Sequence, residues 1–249
     1  MCALSTQRIT SGASTAPTFV TNALSHTPQV YFEDALVAVS GNHDHQDLRN
    51  LEALQAVQLL CVSAMETGQV SLYHQLMGLY HTVVADQGLA DERRWPIGLS
   101  RVEMEQRRRL FWHMYRLEVH TSLIMGHMMR CPEQQTTVEY PDAACDASEK
   151  ETEWILGWNF VTDLYRGLEH LLIHFRSRRH RESDSANIAR LVAPWMLSED
   201  AKARLLAHLN AKYEALPRRF KDANRMSPNV ERNRCVYQAA NIICTYQVG

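Results

Sequence analysis

The sequence predicts an all-α fold, a single multi-helix domain built round a buried central helix. Three observations carry that prediction. Apolar residues recur at three- and four-residue steps through most of the chain, while the strict alternation of a strand is almost absent. One stretch, residues 100–125 (SRVEMEQRRRLFWHMYRLEVHTSLIM), opens with helix-start signals and then turns apolar on nearly every side. No repeat of about 20–50 residues is visible, which argues against a solenoid and for a packed body of about seven or eight helices.

Composition sets the outer bounds. With 45% hydrophobic and 22% charged residues in 249, the chain has ordinary globular proportions and enough length for a real core, which excludes wholesale disorder. A net charge of −2 supplies no overall drive toward nucleic acid or an anionic membrane. No apolar run approaches the roughly 20 residues of a membrane span, and the first residues lack the apolar block of a secretory signal, so an intracellular protein is expected. Six cysteines, at 2, 61, 131, 145, 235 and 244, form no Cys-x-x-Cys and have no His at zinc-finger spacing. Such scatter reads as reduced thiols in a cytosolic or nuclear compartment.

In chain order, residues 1–27 are rich in Ser, Thr and Ala and read as a flexible N-terminal arm, leaving 28–249 as the helical domain. The first helix begins at 28–40. His43-Asp44-His45 follows in a loop, and without further ligands it reads as solvated rather than metal-binding. Residues 48–67 place Leu51, Leu54, Val57, Cys61 and Met65 on one face and stop at Gly68. A helix over about 70–87, with Leu72, Leu76, Leu79 and Val83 inward, stops at Gly88 and completes a helical hairpin. A connector with Arg93, Arg94, Trp95 and Pro96 then leads to the central helix.

Ser100 and Glu103 hold capping-box spacing, so each side chain satisfies the other residue's backbone N–H at the helix start. Glu105 pairs with Arg108 or Arg109 at three- or four-residue steps, and these charged turns are expected near the surface. From Leu110, Phe111 and Trp112 onward the helix must be surrounded by protein. A non-helical excursion over 126–141 follows. Met125, Met128 and Met129 cluster there and read as irregular core filling, with an adaptable apolar pocket as the other use. Ser148 and Glu151 repeat the capping spacing before a long stripe of Trp154, Ile155, Trp158, Val161, Tyr165, Leu168, Leu172 and Phe175. The stripe reads as core, the alternative being a ligand-stacking wall of the two tryptophans. Arg176, Arg178, Arg179 and Arg181 form a basic cluster, either a solvated helix end or a nuclear-import patch. A short helix at about 185–193 precedes one capped by Ser198, with Leu205, Leu206, Leu209 and Tyr213 inward and Pro217 at its end. The last helix covers about 230–247.

The segment EMEQRRRLFWHMYRLE, residues 103–118, resembles the regulatory, or middle-homology, domain of fungal binuclear zinc-cluster transcription factors. That family carries Glu-x-Arg-Arg-Arg before an aromatic–Trp pair, matched here by Glu105, Arg107, Arg108, Arg109, Phe111 and Trp112. The Ala-x-x-x-Gly-Leu ending of its preceding helix is matched at Gly88 and Leu89, with Ala85 one residue nearer than in the pattern, and 237–247 is similar to a later helix. The similarity spans roughly 30–247 and is strongest over 70–141. Departures are Glu118 where Asp is usual, Gly126-His127-Met128 in place of Gly-Arg-Pro, and an end where the late helix normally continues.

The resemblance implies an all-helical body with a nuclear role in transcription regulation, cytoplasm being the alternative compartment. The six-cysteine cluster with which that family reads DNA is missing from the sequence, so no direct DNA contact is expected. The expected partner is a DNA-binding transcription factor or another regulatory protein, with a small apolar ligand as a further possibility, and no membrane. The competing expectation is a repurposed helical protein of secondary metabolism that binds or cyclises an apolar molecule by holding one conformer. Neither reading implies a cofactor. No catalytic signature, phosphate loop or dinucleotide fingerprint occurs, and the His113/His120 and His170/His174 pairs read as structural.

Overall fold

The computed structural model describes residues 27–40, 50–142, 149–179, 199–221 and 238–245, and within them every regular element is helical. In chain order the helices are α1 Pro28–Ser40, α2 Leu51–Glu66, α3 Val70–Gln87, α4 Arg101–Met125, α5 Glu149–Arg179 and α6 Glu199–Ala215, followed by α7 over 238–245. The all-α class and the buried central helix are thus as the sequence predicts. The arm at 1–26, the helix near 185–193, and Ser148, Ser198 and Arg181 lie outside the described residues.

The chain divides into two compact units. The first holds residues up to Met114 together with Gln135–Val138, and the second holds Tyr115–Gln134 and the chain from Glu139 onward. α4 contributes its first turns to one and its last turns to the other.

In the first unit α2 packs against both α1 and α3. The Asn50 side chain caps α2 by accepting from Glu52 N–H at 3.1 Å. At its other end Gly68 takes a φ of +70°, and Gln69 N–H returns to the Ala64 carbonyl at 2.8 Å. The inward face of α3 is Tyr73, Leu76, Met77, Tyr80, Val83 and Val84, with Leu72 and Leu79 only half-buried. The aliphatic periodicity located the helix but missed the two tyrosines that share its core face. Burial of such side chains, about 1.5–3 kcal/mol each, holds the hairpin together.

In the second unit α6 packs on α5. Phe160, Val161 and Leu164 of α5 meet Leu209, Phe220 and Ile242 in one buried cluster. Gly157 lets α7 approach closely: a Cβ there would lie 2.7 Å from Gln238 Oε1, and Gln238 Nε2 donates to the Trp154 carbonyl at 3.1 Å. The outer ends of the predicted stripes differ from expectation. Phe175 is 60% exposed and Leu206 52% exposed, so neither is core. Met128 is 83% exposed, so it fills no interior gap.

Candidate functional site

The predicted signature residues all lie in the first unit. Ser100 and Glu103 form the capping box, with Ser100 N–H donating to Glu103 Oε2 at 2.9 Å and Glu103 N–H to Ser100 Oγ at 3.2 Å. One turn further in, Glu105 is buried, contrary to the expected surface placement of these charged turns. Arg108 explains it. Its Nε and Nη2 donate to the two oxygens of Glu92 at 2.7 and 2.8 Å, and its Nη1 donates to Glu105 at 2.9 Å. One guanidinium thus compensates two carboxylates, and the Glu92 hydrogen bonds hold Arg108 firmly in its charged form. Arg107 and Arg109 are half-buried, and burial lowers the Arg107 pKa against a smaller opposing pull from Glu103. Phe111 and Trp112 are both buried, their rings edge to face at 5.3 Å.

Gly88 and Leu89 form the turn that ends α3, with Leu89 N–H returning to the Val84 carbonyl at 3.0 Å. Gly88 adopts the left-handed conformation at φ +63°, and Leu89 is fully buried. The Leu89 carbonyl accepts from Trp95 Nε1 at 3.1 Å, and the Ala90 carbonyl accepts from Thr137 N–H at 3.0 Å. Asp91 accepts from the Arg93 side chain and, at 2.7 Å, from Thr137 Oγ1, which together hold its carboxyl far below the usual range. Within the signature Arg108 and Glu105 thus fasten the helix to Glu92, and Ala90 and Asp91 tie the preceding turn to Thr137.

The second unit contains a polar network that sequence reading did not single out. Tyr115 Oη donates to Glu169 at 2.5 Å, and Glu133 N–H reaches the same carboxylate at 3.1 Å. Arg166 bonds Glu133 and also Tyr140 Oη at 2.8 Å, while Tyr140 Oη donates to Asp163 at 2.7 Å. Lys212 closes the chain on Asp163 at 2.7 Å, and His170 Nε2 sits 3.3 Å from Glu133. Glu118 accepts from Arg130 N–H at 3.0 Å.

Burial raises the Glu169 carboxyl despite the opposing Tyr115 bond, and the Glu133 partner raises His170. Burial would raise Glu133 too, but His170 and Arg166 outweigh it and bring its pKa down to about 2. Burial, with Glu118 and Glu169 adding, pushes the Cys131 thiol up to about 11, and burial takes Cys61 to about 12, so neither is an activated nucleophile. Chemically the network fastens Glu133 and Tyr140 onto α5. Among the described residues no group of three or more His, Cys, Asp or Glu is placed to hold a metal ion.

The pattern of the fungal specific transcription factor domain matches this chain over residues 7–189. The chain belongs to that family. No curated protein and no solved structure matches it.

Within this transcription-factor domain the basic cluster is split by its contacts. Arg176 donates to the Ser122 carbonyl at 2.6 Å, to Ser122 Oγ at 3.0 Å and to the His127 carbonyl at 2.7 Å, closing the C-terminal end of α4. It belongs to the scaffold rather than to a free basic patch. Arg178 and Arg179 lie in the last turn of α5. The signal that could have revealed the polar network was the presence of Glu118 and Glu169 inside otherwise apolar helical runs, since carboxylates in such positions need partners. No helix among the described residues is long and apolar enough to cross a membrane.

Proposed function

We propose that this chain acts in gene control in the nucleus, as a regulatory domain that works through protein contacts rather than by touching DNA. Membership of the transcription-factor family carries the reading. The arginines support the mode of action. DNA affinity rests on cations directed at phosphates, whereas Arg108, Arg166 and Arg176 are directed at carboxylates and carbonyls of the protein itself. The overall charge of −2 points the same way.

Chromatin immunoprecipitation of the tagged chain, run beside a gel-shift of the purified chain on the recovered promoters, tests this. Recovery on promoters without a shift by the purified chain is expected. A tight, salt-dependent shift by the purified chain would overturn the mode of action, and absence from chromatin would overturn the role. Nuclear entry is assigned to Arg178, Arg179 and Arg181. Their joint replacement by Ala is expected to abolish nuclear accumulation while leaving the unfolding midpoint in place.

A further inference from the structure

We infer that Arg116 anchors a binding site in the second unit for a small organic monocarboxylate, beside the side chains of Trp158, Tyr140 and Tyr165. The arginines differ in what they meet. Arg108 meets Glu92 and Glu105, Arg166 meets Glu133 and Asp163, and Arg176 meets three protein oxygens. Arg116 lies on α4 with its guanidinium carbon 4.0 Å from the Trp158 ring centroid, and among the described residues no carboxylate is paired with it. Removing a cation from water is costly unless an anion compensates it.

The surroundings define what that anion is. The guanidinium carbon lies over the Trp158 ring, and an arginine fork takes a carboxylate through two parallel hydrogen bonds. Arg116 keeps an intermediate exposure, so a solute can reach it. Loss of hydration lowers its pKa to about 10, which leaves it charged at neutral pH. The phenols of Tyr140 and Tyr165 are held neutral by burial, and burial likewise favours neutral His120, one turn along α4 and 3.4 Å from Tyr165 Oη. Asp163, which Tyr140 reaches, is already engaged by Lys212. One uncompensated positive charge among aromatic rings matches a carboxylate of charge −1 on an apolar body. A phosphate dianion would leave one negative charge unmatched in the same place.

Sodium benzoate is the probe, titrated into the purified chain at constant ionic strength against sodium chloride and inorganic phosphate. Thermal unfolding and tryptophan fluorescence are read together. Benzoate is expected to raise the unfolding temperature saturably and to change the fluorescence, with chloride and phosphate doing neither. Arg116→Met is expected to abolish both responses, and Arg116→Lys, which keeps the charge but not the fork, to weaken benzoate about tenfold. Absence of a saturable benzoate response, an equal response to phosphate, or an unchanged response in Arg116→Met would overturn the site. Should Arg116→Met fail to fold by circular dichroism, Arg116→Lys decides alone, and unchanged benzoate affinity in it overturns the proposal.

Discussion

The two halves of α4 run through different interiors. Up to Met114 the helix buries Leu110, Phe111, Trp112 and Met114, and its one deep charge cluster is closed by Arg108. From Tyr115 on, Val119 is buried beside Tyr115, Glu118, Thr121 and Ser122, and each of those four is hydrogen-bonded to another part of the second unit or to its own helix. The first half is held chiefly by volume, and the second adds more directed bonds. Packing is indifferent to pH, whereas bonds between ionisable groups titrate, so the two halves of α4 should respond differently to pH.

The largest expected effect is in the apolar half. Trp112→Ala removes a buried indole and is expected to lower unfolding free energy by about 3–5 kcal/mol in urea titrations. A loss under about 1 kcal/mol would mean that Trp112 does not sit in a packed core. Next comes the charge cluster of the same unit. The Arg108 and Glu92 side chains are 14% and 19% exposed, so Arg108→Ala strands two poorly solvated carboxylates, at a cost of about 3 kcal/mol. Arg108→Lys should recover part of that, since the charge survives but the two-oxygen grip on Glu92 does not. Equal losses in the two variants would show that the fork geometry contributes nothing.

The same contrast explains what could be read from the sequence. Apolar periodicity and helix punctuation depend on neighbours a few residues apart, so α1, the hairpin of α2 and α3, and the Ser100–Glu103 box were legible. The second unit's fastening joins residues far apart in sequence, Tyr115 to Glu169, Glu133 to Arg166 and Ser122 to Arg176, and no local pattern encodes such partners. Arg176 shows the consequence. Next to Arg178 and Arg179 it reads as one of a basic run, and only the folded chain reveals the carbonyls it closes. The family signature was legible as a motif, but its burial with Glu92 was not, because Glu92 lies outside the helix that carries it.

A smaller effect is expected at the turn before α4. Gly88 sits at φ +63°, where any other residue is strained, and a Cβ there would lie 2.8 Å from the Arg94 side chain. Gly88→Ala is therefore expected to cost about 1–2 kcal/mol, most of it backbone strain because Arg94 is exposed and free to turn aside. If Arg94→Ala restored the full loss in the double variant, crowding rather than backbone conformation would be the cause.

The smallest effect separates the units by pH. Asp91 in the first unit is depressed by its bonds to Arg93 and Thr137, so its contribution is present at neutral pH and lost only as pH falls toward the folded value. His170 in the second unit is raised from 6.5 by Glu133, so its stabilisation is complete below 6.5 and disappears as pH rises through the folded value. Glu169, raised from 4.5 by burial, also loses stability as pH rises from 4.5 through its folded value. Urea titrations from mild acid to mild alkali should therefore show a decline above pH 6.5 that His170→Gln removes, leaving the decline due to Glu169 in place. The His170 side chain is 34% exposed and Glu133 keeps Arg166, so after solvent screening the effect is under about 1 kcal/mol. A His170→Gln profile parallel to wild type above pH 6.5 would mean that Arg166 alone holds Glu133, and that the bonds of the second unit are as insensitive to mild alkali as the packing of the first.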